Sequence, residues 1–107
     1  METNVCNGDC TDECPVKKTA LLIEGKWTTL VVRELLPGKK RFSEILRALD
    51  GISPKVLTAR LRLLESRKLI TRTVYPTIPP KTEYALTEHG QKLEKVLIAM
   101  AVFGETL

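Results

Sequence analysis

The stretch from Gly51 to Lys68, Gly-Ile-Ser-Pro-Lys-Val-Leu-Thr-Ala-Arg-Leu-Arg-Leu-Leu-Glu-Ser-Arg-Lys, limits more than any other what this chain can fold into. Ser53 before Pro54 is a helix start. The hydroxyl can accept from an orphan N–H of the first turn, and proline at the first helical position loses no hydrogen bond. From there Leu57, Leu61 and Leu64 recur on one face at helical spacing, flanked by Val56 and Leu63. Lys55, Thr58, Ala59, Arg62 and Ser66 fall on the other side, which is cationic, has no carboxylate among those five and ends in small or hydroxyl groups. A helix that buries one side and presents a slim basic side is what the major groove of duplex DNA accepts. The expectation is a recognition helix.

The charge distribution agrees. The chain of 107 residues carries a net charge of +4, and residues 37 to 73 hold ten Lys or Arg against three acids, while the segments on either side are slightly acidic. A positive field gathered around the candidate recognition helix is what a polyanion-binding surface requires; a merely solvated basic face is the plainer alternative. The length suits one small domain with a single core. No apolar run is long enough to span a bilayer, and the N-terminus lacks the basic-then-apolar order of a signal peptide. A cytoplasmic location without a membrane partner is therefore expected. An enzyme finds almost no support, because no paired carboxylates, nucleophile–base set or phosphate loop is present and His89 is a lone histidine.

Taken in order, residues 1–13 are polar and acidic without apolar period and are expected to form a loose arm. Pro15 opens a helix with Val16, Ala20, Leu21, Leu22 and Ile23 on its apolar side, ended by Gly25. Trp27 begins a second helix to Leu36, stopped by Pro37-Gly38, in which Trp27 is expected to anchor packing. Lys39-Lys40-Arg41 reads as a basic link, and Phe42 to Leu49 as a third helix with Phe42, Ile45, Leu46 and Leu49 on one face. Asp50-Gly51 then turns into the helix at Ser53. Two short helices joined by a glycine turn, the second basic and amphipathic, make a helix-turn-helix.

Ile70–Tyr75 and Lys81–Leu86 alternate as strands do, separated by the stiff loop Pro76-Thr-Ile-Pro-Pro80. A hairpin directly after a recognition helix is a wing, and Arg72, Thr77 and Lys81 would reach toward the DNA backbone or minor groove; a plain stabilising hairpin is the alternative. Thr87 caps a last helix from about Glu88 to Phe103. Its band of Leu93, Val96, Leu97, Met100, Ala101 and Phe103, with Leu21 and Leu22 of the first helix, exceeds what so small a core needs. These residues are the candidates for a two-fold dimer interface.

Cys6, Cys10 and Cys14 are an odd count confined to the first fourteen residues, which does not suggest an internal disulfide framework. Their spacing of four could present thiolates to zinc or an iron–sulfur cluster, but no fourth ligand is near, so neither a metal nor a cofactor is expected. Cys14 is a candidate redox-sensing thiol. The helix start and Lys17 and Lys18 favour its thiolate, Asp12 and Glu13 oppose it, and an inert packed cysteine is the alternative.

The order of motifs Cys14-Pro15-Val16, Gly25-Lys26-Trp27, Arg33-Glu34-Leu35-Leu36, Arg41-Phe42-Ser43-Glu44, Gly51-Ile52-Ser53-Pro54-Lys55 and Arg60-Leu61 resembles the HxlR family of bacterial and archaeal transcription regulators. Tyr75-Pro76, Pro79-Pro80, Glu83-Tyr84 and Leu86-Thr87-Glu88 continue it, so the resemblance covers residues 14 to about 104. It implies a MarR-like winged helix-turn-helix: mostly α in an α+β fold, with a three-helix core, a β-hairpin wing and terminal dimerisation helices. It also implies a DNA-binding regulator, and a cysteine at the position of Cys14 that some relatives use to sense electrophiles or oxidants.

The expected architecture is an acidic arm over residues 1–13 and one winged helix-turn-helix domain over residues 14–107. The expected function is sequence-specific recognition of a pseudo-palindromic operator by a homodimer. Ser53, Pro54, Lys55, Thr58 and Arg62 would enter the major groove, and Lys39, Lys40, Arg41 and the wing would clamp phosphates. Arg60, nearer the apolar flank, would bond a phosphate or an internal carboxylate. The rival is a winged helix used for protein contact, its basic face only solvated.

Overall fold

The computed structural model describes residues 14–107. Helix α1 (Pro15–Ile23) is followed by α2 (Trp27–Leu35), a short strand β1 (Lys40–Arg41) and α3 (Phe42–Ala48). Then come α4 (Pro54–Ser66), strands β2 (Ile70–Tyr75) and β3 (Lys81–Leu86), and helices α5 (Glu88–Gln91) and α6 (Leu93–Gly104). The core is where α2, α3 and α4 meet the base of the sheet. Val31, Val32 and Leu35 of α2, Ile45 of α3, Leu57 and Leu64 of α4 are fully buried, with Leu61, Leu69, Ile70 and Tyr84 nearly so. Helical periodicity assigned Val31, Leu35, Ile45, Leu57, Leu61 and Leu64 inward, whereas Val32 and Leu69 lie outside the apolar stripes read from the sequence. Trp27 packs against that cluster as a half-buried anchor.

The turn into α4 depends on Gly51. Its φ of +93° lies in the left-handed region, which side chains with a Cβ rarely adopt, and a Cβ there would also sit 3.9 Å from the Trp27 ring. So the turn and the Trp27 anchor are fitted to each other.

The sheet is antiparallel in the order β1-β3-β2. The hairpin pairs Ile70 with Leu86 and Tyr75 with Lys81, with the strand bounds read from the sequence. The segment read as a basic link instead contributes an edge strand, Lys40 opposite Tyr84 and Arg41 opposite Glu83. Two charged residues are too few to show an alternating pattern, so this strand exists only by pairing.

The last helix is divided at Lys92, where one continuous element was expected. The Thr87 hydroxyl accepts from Gly90 N–H (3.0 Å) and donates to the Lys68 carbonyl (2.8 Å), and Thr87 N–H donates to the Leu69 carbonyl (2.9 Å). These bonds pin α5 against the turn between α4 and β2. A Cβ at residue 90 would overlap the Leu69 carbonyl, so only glycine permits that approach. Beyond it α6 buries Leu93 but exposes Ile98, Met100, Val102 and Phe103.

Cys14, 5% exposed, is disulfide-bonded. The odd cysteine count, which does not suggest an internal disulfide framework, leaves room for this single bond. Cys6, Cys10 and the expected acidic arm lie outside the described residues. Among the described residues no helix is long and apolar enough to cross a membrane, and no cluster of three or more His, Cys, Asp or Glu could hold a metal ion.

Candidate nucleic-acid interface

Helix α4 is divided into two faces. Leu57, Leu61 and Leu64 are 0–1% exposed, while Ser53, Pro54, Lys55, Ala59, Arg62 and Ser66 are exposed and Thr58 is half-buried. Ser53 is the N-cap, its hydroxyl accepting from Val56 N–H at 3.1 Å, with Pro54 opening the helix. The start of α4 is thereby fixed while its cationic side faces outward.

The wing lies along one flank of α4. Thr58, Arg62, Glu65, Arg72 and Tyr84 line a polar cleft between the helix and β2, across which Glu65 Oε2 stands 3.7 Å from Arg72 Nε. Burial pushes the Tyr84 phenol above its ordinary pKa, partly offset by the nearby Arg72 guanidinium. The cleft sets Arg62 of the helix and Arg72 of the wing on one surface, as a joint contact to DNA requires.

Arg41 and Lys81 meet in a second cleft, between the start of α3 and the wing loop, with Ser43, Pro79 and Pro80. The Arg41 backbone N–H donates to Glu44 Oε1 (2.9 Å), which caps α3 and leaves the Arg41 side chain exposed. At the wing tip Thr77 is exposed, but its hydroxyl donates to the Pro79 carbonyl at 2.7 Å, folding the loop on itself. Beside it Ile78 is fully exposed, a residue the sequence reading passed over although it stands alone among prolines.

The two lysines expected to clamp phosphates differ. Lys39 is 66% exposed, with Glu83 Oε1 3.7 Å away, and keeps its ammonium in solvent. Lys40 is 29% exposed and donates to Glu34 Oε1 at 2.9 Å, so its charge is committed inside the protein. That bond is the main reason the Glu34 carboxyl is held below its ordinary pKa, against the opposing effect of burial. Arg60 has no carboxylate within ion-pair distance among the described residues, and its Nε is buried without a partner.

Of the residues expected at a dimer interface, Leu21 is 52%, Met100 44% and Phe103 66% exposed. Leu22 and Leu97 pack partly on the core, and Leu93 belongs to the core itself. Ile98 and Val102 join the exposed set, and an apolar groove lined by Leu30, Leu36, Leu97, Ile98, Met100 and Ala101 runs between α2 and α6.

The arrangement of these elements is that of a known regulator family. Residues 22–107 match the HxlR-like helix-turn-helix family. The chain belongs to that family. It is 48% identical over 91 residues to sll1512, an HTH-type transcriptional regulator of Synechocystis sp., covering 85% of this chain and 67% of that protein. A MarR-family transcriptional regulator of Porphyromonas gingivalis has the same fold, with a TM-score of 0.87 at 36% identity over 92% of this chain and 97% of its own. The redox regulator HypR in its reduced form superposes with a TM-score of 0.81 at 41% identity, over 86% of this chain and 91% of its own. The winged helix-turn-helix expected from the sequence, of the MarR-like kind, is thus the fold of this HxlR-like chain.

Proposed function

We propose that this HxlR-like chain is a cytoplasmic, non-enzymatic transcriptional regulator that binds a pseudo-palindromic DNA operator as a homodimer. One observation carries the reading: α4 buries Leu57, Leu61 and Leu64 and turns Ser53, Pro54, Lys55 and Arg62, with Thr58 beside them, to the outside. In the complex these groups read base edges in the major groove. Lys39, Arg41 and Lys81 contact backbone phosphates, and Arg72 and Thr77 place the wing beside them. Lys40 supports that surface through Glu34 and makes at most a secondary contact. The exposed side chains of Leu21, Ile98, Met100 and Phe103 meet those of a second copy, so that two α4 helices address successive major grooves. Selection of bound duplexes from a random pool tests the reading. An enriched inverted repeat supports it, and the absence of salt-dependent binding to any duplex favours a protein-contact role instead.

A thiol-linked switch is the second element of the proposal, and the disulfide at Cys14 favours it. Cys14 caps α1, the helix that carries the exposed Leu21, so breaking its bond changes the tether of a proposed dimer element. Likeness to the redox regulator HypR supports the same reading. Operator affinity measured in reduced and oxidised protein should differ, and the difference should vanish in Cys14→Ser. Equal affinities in both states would remove the switch.

A further inference from the structure

The flank of α4 away from the wing carries a cationic corner that the reading above does not use. It is built where the turn between α1 and α2 passes α4. Arg60 extends from α4 until its Nη2 lies 3.8 Å from where a Cβ on Gly25 would be. One residue later, Lys26 holds its ammonium 4.5 Å from the centre of the Trp27 ring, whose far edge faces Gly51 in the helix-turn-helix turn. Two cations therefore flank one short stretch of backbone, next to the turn that presents Ser53.

Neither cation is neutralised. Among the described residues no carboxylate lies within ion-pair distance of Lys26 or Arg60, although Glu24 and Asp50 are near in sequence. The Arg60 Nε is buried without a hydrogen-bond partner, so a ligand would meet the Nη groups of this guanidinium. The ring under Lys26 restrains its ammonium instead of leaving it to sweep through solvent. At the same place α2 begins with neither a side-chain cap nor an acid in its first turn, which adds positive potential.

We infer that Lys26 and Arg60 together hold a DNA backbone phosphate on the side of α4 opposite the wing. The inference rests on the DNA-binding reading and extends it: the recognition helix is gripped on both flanks, by the wing on one and by this corner on the other. A grip on both flanks sets the angle at which α4 enters the groove, which a one-sided contact leaves free.

The test is the salt dependence of binding to a mixed-sequence duplex of about 30 base pairs, roughly three helical turns. Wild type, Lys26→Gln, Arg60→Gln, Arg60→Lys and Lys95→Gln are compared, each with its melting temperature. Lys95, on the exposed side of α6, controls for loss of one net charge. Losing a phosphate contact should lower the log–log salt slope by about 0.9 per subunit in Lys26→Gln and Arg60→Gln, with Arg60→Lys in between and Lys95→Gln like wild type. Slopes in the corner variants equal to that of Lys95→Gln overturn the inference while DNA binding stands. A wild-type chain without salt-dependent binding overturns both. Should Arg60→Gln melt early, Lys26→Gln, changed only at an exposed side chain, decides alone.

Discussion

Leu61 and Arg62 are neighbours in sequence on opposite sides of α4, and truncating each to alanine should damage the protein in unrelated ways. Leu61 is 1% exposed and packed among Leu57, Leu64 and the residues of α2. Leu61→Ala removes buried methyl groups and leaves a cavity in a rigid three-helix junction, which costs about 3 kcal/mol. In a domain of this size that loss lowers the melting temperature by roughly 15 °C. Arg62 is exposed and forms no ion pair among the described residues, so Arg62→Ala should change stability by less than about 0.5 kcal/mol. If Arg62 reads a guanine, the same change weakens binding to the selected operator by about 1–3 kcal/mol, roughly 5- to 150-fold, and relaxes preference at one base pair. Circular-dichroism melts and binding titrations on operator and scrambled duplex measure both effects. A large drop in melting temperature for Arg62→Ala, or equal binding loss on both duplexes, would refute the two-faced assignment of α4.

Three further expectations follow from the same geometry. Gly90→Ala places a methyl group against the Leu69 carbonyl and must break the two Thr87 bonds to residues 68 and 69, so chemical denaturation should show a loss of about 2–4 kcal/mol. Glu34 has a lowered folded pKa, so its pairing with Lys40 stabilises the fold above the ordinary carboxylate value of 4.5 and is lost as pH falls through the lowered value. Glu34→Gln should therefore cost about 1 kcal/mol at neutral pH and flatten the acid limb of the stability profile, which urea melts across pH will show. Phe103→Glu changes a side chain exposed in the single chain; sedimentation should report monomers, the melting temperature should no longer depend on protein concentration, and operator binding should weaken in step.

The helix-turn-helix was legible because its signals are local. Ser53-Pro54 sets the start of α4, three leucines at helical spacing set its inner face, and alternation set both wing strands to the residue. What escaped the sequence depends on contacts between distant segments. Strand β1 is invisible without β3 to pair with it, and the close approach of Gly90 to Leu69 joins elements apart in sequence. Likewise the sequence shows Lys39, Lys40 and Arg41 as equivalent, yet only the fold brings Glu34 to Lys40 and withdraws its charge from the surface. Leu93 reads like its neighbours in α6, but the fold buries it and leaves Ile98 and Val102 outside. Lys26 and Arg60 lie far apart in the chain, and only the seating of α2 on α4 joins them.

Dimethyl sulfate probing of the selected duplex asks most directly where α4 lies, because the reagent methylates guanine N7 in the major groove and adenine N3 in the minor groove. Bound protein should protect guanine N7 in two patches about one helical turn apart, and Arg62→Ala should lose protection at one guanine in each. Guanine N7 left fully reactive under saturating protein would contradict the placement of α4 in the major groove.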